Sequence, residues 1–204
     1  MTRLLLHACC APCSLEPVRL LMDEGFEPTI CWTNPNIQPL EEHDRRLEEL
    51  RRWAGSMGLP LIEAGDDRVA WDRGVAPCGA DRMRRCRACY ALRLAEACRV
   101  ARREGFEHVA TTLAVSPYQL LDTCNDVLEK LARAQGLTPV LRDFTPWYPE
   151  ATARSRELGM YRQQYCGCRF SAAEAALDRA RLRDERKAAR ERRSAGAGAA
   201  EAAS

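Results

Sequence analysis

Residues 4–14 read LLLHACCAPCS, an apolar run that ends in three closely spaced cysteines, Cys9, Cys10 and Cys13. The run predicts a short buried strand over Leu4–Ala8. Ser14 is expected to cap the amphipathic helix that follows, with Pro17 tolerated in its first turn. Adjacent thiols in the turn between two such elements suit metal binding or catalysis better than the packing of small apolar side chains.

The order strand, then helix, repeats along the rest of the chain. Further strands are predicted at Pro28–Thr33, Pro60–Ala64, His108–Val115 and Thr138–Phe144, and helices at Leu40–Met57, Arg84–Glu104 and Tyr118–Gln135. This alternation predicts an α/β fold with a mainly parallel sheet and flanking helices. Ligands of such sheets bind beyond the carboxyl ends of the strands. The unusual residues fall at those ends: Cys9 and Cys10, Asn34–Asn36, Asp66 and Asp67, and Ser116.

Length and composition bound the class of protein. The chain has 204 residues, a formal net charge of +2 and 11 cysteines. We find no signal-peptide pattern and no apolar run of the ~20 residues that a membrane span needs. We therefore expect a cytoplasmic protein without a membrane partner. Thiols stay reduced in that compartment, so clustered cysteines indicate metal or redox chemistry rather than a disulfide scaffold.

The C-terminal segment differs in composition from the rest. We expect a catalytic domain over residues 1–175, followed by a tail over 176–204 that starts as a basic helix. Its last eleven residues, SAGAGAAEAAS, have no apolar face to bury and are expected to be disordered. Arg179–Arg193 carries a basic excess that could touch RNA, although a solvated helix face is the more common explanation.

A second cysteine group, RRCRACYALRL at 84–94, places Cys86 and Cys89 on one face of a helix near its start. The neighbouring arginines and the helix N-terminus are expected to favour their thiolate forms. C-x-x-C alone is shared by zinc, iron–sulfur and thioredoxin-like sites. With Cys9 and Cys10 it supplies four thiolates, which suits Zn²⁺ or a [4Fe–4S] cluster.

A third group, YRQQYCGCRF at 161–170, contains Cys166 and Cys168 around a glycine. Such a pair can chelate a metal or close a small disulfide. Three cysteines stand alone within predicted elements and are expected to pack in the core: Cys31, Cys98 and Cys124. His7 lies inside the first strand, where we expect a buried imidazole with a backbone partner.

Two nucleotide-binding motifs are absent from the sequence. It contains no G-x-x-x-x-G-K-[ST] phosphate loop and no strand-linked G-x-G-x-x-G fingerprint. An enzyme of this composition is expected to work without a bound nucleotide cofactor.

Five stretches resemble the epoxyqueuosine reductase QueH family in sequence and order: HACCAPCS, NPNIQPLEEHDRRL, RRCRACYALRL, TTLAVSPYQ and YRQQYCGC. The resemblance covers about residues 3–172. It implies a Rossmann-like fold related to the adenine-nucleotide α-hydrolase superfamily. It also implies an iron–sulfur oxidoreductase that removes the epoxide oxygen of epoxyqueuosine in tRNA, the last step of queuosine biosynthesis.

The resemblance also implies roles for individual cysteines. Cys9, Cys10, Cys86 and Cys89 correspond to ligands of a [4Fe–4S] cluster, and Cys166 and Cys168 to a redox-active pair. Cys13 is a candidate ligand of a second iron ion beside the cluster. The required electron donor is not identified by the sequence, and Asp66 or Asp67 could deliver a proton.

Two other functions use the same residues. One is a zinc-stabilised RNA-binding protein in which the four thiolates are structural. The other is a metal-free thiol–disulfide oxidoreductase that acts through C-x-x-C.

Overall fold

The computed structural model describes residues 2–201, with side chains throughout except at 191 and 193–201. Five strands form one sheet: β1 (Thr2–Ala8), β2 (Phe26–Trp32), β3 (Leu61–Glu63), β4 (His108–Thr111) and β5 (Thr138–Pro139). They lie in the order β3-β2-β1-β4-β5, and every neighbouring pair is parallel. This topology confirms the predicted α/β fold with a parallel sheet.

In the described part of the chain, seven α-helices surround or extend this sheet: α1 (Ala11–Asp23), α2 (Leu40–Ser56), α3 (Arg68–Gly74), α4 (Arg82–Arg103), α5 (Leu121–Ala134), α6 (Tyr148–Glu157) and α7 (Arg169–Glu201). Short 3₁₀ turns lie at Ala76–Cys78, Thr112–Val115 and Thr145–Trp147. Within residues 2–201, none of the helices combines the length and apolar composition needed to cross a bilayer.

Strand β1 lies at the centre of the sheet and is covered on both faces. Its residues Leu4, Leu5 and Leu6 are fully buried, as a central parallel strand requires. The chain therefore leaves β1 at the middle of the carboxyl edge, between the ends of β2 and β4. The turn that carries Cys9 and Cys10 lies at the switch point of the sheet, where open α/β folds bind their ligands.

The first helix begins earlier than the sequence predicts. Helix α1 starts at Ala11, so Ser14 lies within its first turn rather than capping it. Cys10 is the N-cap residue, and its carbonyl accepts a hydrogen bond from the Ser14 hydroxyl at 2.9 Å. Pro17 lies inside the helix and has no N–H to donate to the Cys13 carbonyl.

Other boundaries also differ from the predictions. The short helix α3, which carries Trp71, is not among the predicted helices. The fourth strand stops at Thr111 and turns into a 3₁₀ segment, while the fifth is reduced to Thr138–Pro139. Helix α7 continues to Glu201, into the segment for which disorder is predicted, and residues 202–204 lie outside the described residues. The division at residue 175 stays a prediction.

Candidate functional site

Three sulfurs meet in the turn after β1. The Sγ atoms of Cys9, Cys10 and Cys13 all lie within 4.8 Å of one another, and those of Cys9 and Cys10 are 3.8 Å apart. All three residues are buried. The turn packs them at the N-terminus of α1, whose free N–H groups favour negative charge. This arrangement forms a compact, buried group of soft metal ligands.

The three thiols differ in their proton affinity. Hydrogen bonds from the Cys10 and Cys13 thiols lower the pKa of Cys9 well below its usual value, although burial opposes this shift. Burial raises the pKa of Cys10. Hydrogen bonds to Cys10 and Cys9, together with burial, raise the pKa of Cys13. The group therefore holds its first thiolate at Cys9, stabilised by its two neighbours.

Polar side chains from distant segments donate to these sulfurs. Gln163 Nε2 donates to Cys10 Sγ at 3.0 Å and to Cys13 Sγ at 3.3 Å. Thr112, the first residue after β4, donates from its hydroxyl to Cys9 Sγ at 3.7 Å. Hydrogen bonds to sulfur stabilise the thiolate and tune any metal that it binds.

Cys86 and Cys89 lie in the first two turns of α4, as predicted. Trp71 Nε1 donates to Cys89 Sγ at 3.3 Å from the neighbouring helix α3. The prediction that the surroundings of both thiols favour the thiolate form is wrong, because burial raises both pKa values. Burial raises the pKa of Cys86 to about 11 and that of Cys89 to about 12.

Two of the surrounding arginines are occupied elsewhere. Arg87 binds Asp126 at 2.6 Å, and Arg85 binds Glu174 at 2.5 Å. A sequence pattern of neighbouring basic residues therefore overstated the positive charge available to these two thiols.

Cys166 and Cys168 lie in the loop before α7. Gln119 Nε2 donates to Cys166 Sγ at 3.2 Å, and the Cys168 thiol contacts the Ser171 hydroxyl at 3.4 Å. Burial raises the pKa of Cys166. Both side chains are free thiols in this structure. Their assignment as a redox-active pair stays a prediction.

The C-x-C loop is fastened to the segment between β2 and α2. The buried guanidinium of Arg46 donates to the carbonyls of Cys166 at 2.9 Å and Tyr165 at 3.1 Å. The backbone N–H of Gln38 donates to the Gly167 carbonyl at 2.9 Å. These bonds hold the loop against the fold at a defined position.

Gly167 adopts a backbone conformation that only glycine accepts easily. Its φ is +146°, and a Cβ added there would lie 2.7 Å from Asn36 Nδ2 and 3.0 Å from Ile37 Cγ1. The glycine between the two cysteines thus allows the loop to approach Asn36 closely.

One buried cation lies among cysteines from three segments. Arg93 on α4 is 1% exposed; burial lowers its pKa, but electrostatic interaction with Cys89, Cys9 and Cys166 outweighs that effect, so the pKa is raised. Its guanidinium donates to the Asn34 side-chain oxygen. These three cysteines, far apart in sequence, therefore share one electrostatic environment.

The structure brings together a set of cysteines that differs in part from the predicted one. Among residues 2–201, the one close group of three or more candidate ligands is Cys9, Cys10 and Cys13. Cys86 and Cys89 lie outside that group. The sequence did not single out Arg93, Gln163 or Gln119, because each stands alone without a recurrent spacing.

The aspartates at the carboxyl edge already have partners. The Asp66 carboxylate accepts from the backbone N–H of Asn34 at 2.5 Å and lies 2.5 Å from His43 Nε2. The other ring nitrogen of His43, Nδ1, lies 2.9 Å from the Asp44 carboxylate. Hydrogen bonds to Asp66 and Asp44 outweigh the opposing effect of burial and raise the pKa of His43. Asp67 accepts from the Ala70 amide and caps α3.

The expected structural residues lie where they were predicted. Cys31, Cys98 and Cys124 are fully buried in the core. His7 Nδ1 faces the Thr111 hydroxyl at 2.9 Å and Nε2 faces the Thr33 carbonyl at 3.3 Å. Burial lowers the pKa of His7 to about 3, so the ring is neutral.

Solved structures share this fold. The U34-tRNA thiolase NcsA from Methanococcus maripaludis with its [4Fe-4S] cluster has a TM-score of 0.55 and 13% identity, over 90% of this chain and 67% of that one. A predicted subunit of tRNA methyltransferase from Methanocaldococcus jannaschii also has a TM-score of 0.55, with 11% identity over 77% and 75% of the two chains. These likenesses concern the fold alone and agree with the parallel α/β sheet of this chain.

Sequence relatives are more specific. The chain is 34% identical to the epoxyqueuosine reductase QueH of Dehalococcoides mccartyi over 84% of this chain and 93% of the relative. It is 32% identical to that of Thermotoga maritima over 85% and 92%. The family model described as Epoxyqueuosine reductase QueH matches residues 4–174. The chain therefore belongs to the epoxyqueuosine reductase QueH family.

Proposed function

We propose that the thiol-lined carboxyl edge of the sheet is where this family member reduces epoxyqueuosine in tRNA to queuosine. The observation that carries the proposal is the buried group of Cys9, Cys10 and Cys13 at the switch point of the sheet. We further propose that the protein acts in the cytoplasm, where its 11 free thiols remain reduced.

The reaction needs two electrons and two protons. Removal of the epoxide oxygen gives an alkene and water. If Cys166 and Cys168 supply both equivalents, two S–H bonds break, one S–S bond forms, and the oxygen leaves as water. An external electron donor, not yet identified, then reduces the disulfide back to the dithiol.

A [4Fe–4S] cluster is the cofactor that the family resemblance implies. The residues fit it in kind: the soft sulfur donors Cys9, Cys10 and Cys89 are buried and accept hydrogen bonds, and the buried cation Arg93 lies beside them. Such a cluster transfers single electrons at low potential. We propose Cys9, Cys10, Cys86 and Cys89 as its ligands.

Cys13 has a different role in this proposal. It shares the donor Gln163 with Cys10, and its sulfur lies in the close group with Cys9 and Cys10. We propose it as a ligand of a second iron ion, which would act as a Lewis acid toward the departing oxygen.

Proton delivery falls to Asp66 rather than Asp67 in this proposal. Asp67 is committed to capping α3, whereas Asp66 lies against His43, a group that can exchange protons with it. The raised pKa of His43 favours the protonated ring that such a relay needs.

Serine variants of the proposed ligands test the assignment. In anaerobically purified protein, Cys9→Ser, Cys10→Ser, Cys86→Ser and Cys89→Ser should each lower bound iron and reduction of epoxyqueuosine tRNA together. Cys31→Ser and Cys98→Ser are matched controls, because these thiols are buried in the core away from the sulfur group. Full iron content in Cys89→Ser would refute the ligand set.

The wild-type protein also separates the alternative functions. A brown protein with iron and acid-labile sulfide supports the proposal. A colourless protein that holds zinc indicates a zinc-stabilised RNA-binding protein, and a metal-free one indicates a thiol–disulfide oxidoreductase.

The redox pair has its own test. After one turnover without external reductant, mass spectrometry of alkylated protein should find Cys166 and Cys168 protected as a disulfide. If both remain open to alkylation after turnover while Cys166→Ser loses iron, they are ligands and the redox assignment is wrong.

A further inference from the structure

Arg93 differs from the other buried arginines of this protein. Arg46 and Arg85 are equally buried, and each binds a carboxylate, Glu42 and Glu174 respectively. Among the residues that the structure describes, Arg93 has no carboxylate within ion-pair distance, and its Nε and Nη1 atoms have no hydrogen-bond partner. It is thus a buried cation whose charge the protein's carboxylates leave uncompensated.

A buried cation of this kind requires an anion. Transfer of an isolated charge from water to a protein interior is strongly unfavourable unless the charge is paired. Arginine cannot escape this cost by releasing its proton, since its pKa is too high. The anion must therefore come from the groups that surround Arg93.

Those groups are thiols from three separate segments. Cys9 follows β1, Cys89 lies one turn before Arg93 on α4, and Cys166 lies in the C-x-C loop; each is close enough to interact electrostatically with Arg93. Residues four positions apart share one face of a helix, which aligns Arg93 with Cys89.

Asn34 fixes the guanidinium beside this group. Its Oδ1 accepts from Arg93, while its Nδ2 donates at 2.9 Å to the carbonyl of Ala8, the residue before Cys9. Asn34 is fully buried, so it connects the cation to the cysteine turn with both ends of one amide.

We propose that Arg93 is the fixed counter-cation of a metal–thiolate centre formed by the cysteines around it, with Asn34 as its positioning residue. Four thiols that bind a divalent metal ion give up the protons that they still carry, and the four thiolates with the ion leave a local charge of −2. Arg93 lowers the free energy of that charged state. Arg93 responds to the charge of the centre and not to the identity of the metal. This inference therefore rests on the proposed function only in requiring that a metal–thiolate centre forms.

A consequence distinguishes this role from simple packing. Without metal, no bound ion draws the protons from the surrounding thiols, so Arg93 has less negative charge around it, and its removal should destabilise the fold less. With metal bound, the centre carries more negative charge, and removal of Arg93 should destabilise the fold more. A purely structural arginine would stabilise both forms equally.

The test compares Arg93→Met and Arg93→Lys with wild type, using Co²⁺ alone as the probe. Thiolate-to-cobalt absorption at one fixed pH gives the affinity, and denaturant unfolding with and without Co²⁺ gives the stability. Arg93→Met should weaken Co²⁺ binding about tenfold or more, because loss of one positive charge beside a doubly negative centre is expected to cost at least this much in a polarisable interior. Arg93→Lys keeps the positive charge, so its Co²⁺ affinity should stay within about threefold of the wild-type value.

Arg85→Met is the matched control, because Arg85 lies on the same helix, is equally buried and has its own carboxylate. It should lower stability in both forms. Unchanged Co²⁺ affinity in Arg93→Met would overturn the proposal. So would equal destabilisation with and without metal, or failure of the metal-free Arg93→Met variant to fold.

The experiment also separates this proposal from the proposed function. If wild-type protein binds Co²⁺ through thiolates but contains no iron when purified anaerobically, the iron–sulfur assignment fails while the Arg93 comparison still decides its own question. If wild-type protein gives no thiolate-to-cobalt absorption, Arg93 has no centre to balance and this proposal is wrong.

Discussion

Replacement of Gly167 by alanine should destabilise the C-x-C loop by two additive effects. The new Cβ would lie 2.7 Å from Asn36 Nδ2 and 3.0 Å from Ile37 Cγ1, and both neighbours are fully buried. The overpacking costs about 1–3 kcal/mol. A side chain at φ +146° adds backbone strain of about 1–3 kcal/mol. We expect the free energy of unfolding to fall by about 2–6 kcal/mol.

Urea unfolding followed by circular dichroism measures this change, and Gly55→Ala is its control. Gly55 lies within α2, and a Cβ added there would meet no atom within 4 Å. That substitution should raise stability by about 0.4–1 kcal/mol, since alanine restricts the unfolded chain. A Gly167→Ala protein within about 0.5 kcal/mol of wild type, the usual scatter of surface substitutions, would refute the close packing of this loop.

Two further predictions concern the tail and the His43 network. Truncation after Ala175 should leave the iron content unchanged. If the tail is solvated, the truncated protein should bind tRNA as tightly as the full chain at every salt concentration. A shallower salt dependence of binding in the truncated protein would instead show that the tail contacts phosphates. His43 has a raised pKa in the folded state, so its charged form stabilises the fold below the unfolded value of about 6.5, and this contribution is lost as pH rises through the folded value. His43→Gln should therefore lower the free energy of unfolding more at acidic than at alkaline pH, and an equal loss at both would contradict the ion pair with Asp66.

The sheet could be predicted from the sequence because its strands are short apolar runs separated by amphipathic segments. The apolar run Leu4–Ala8 predicts a buried strand, and in the structure each of its side chains is buried. The start of α1 could not be predicted in the same way. Ser14 carries the usual capping side chain, but the turn after β1 is so tight that the helix begins at Ala11, with Cys10 as the N-cap.

The candidate site was predictable where spacing carries the signal. The C-x-x-C and C-x-C pairs and the cysteines after β1 are visible in the sequence alone. The groups that act on those sulfurs are not, because Gln163, Gln119 and Arg93 reach them through tertiary contacts across the sheet edge. The thiolate character expected of Cys86 and Cys89 was wrong for the same reason: burial, which spacing does not reveal, outweighs nearby charge.

The sulfurs of the site are distributed over nearly the whole folded domain, from Cys9 to Cys168. A ribosome that adds ~5–20 residues per second releases the first of them roughly ten to thirty seconds before the last. During that interval Arg46, Gln38 and Asn36 have no C-x-C loop to hold. The C-x-C loop can thus join the cysteines after β1 only when synthesis has passed Cys168, and a ribosome-bound fragment that ends before Tyr165 would hold the first cysteines without that loop.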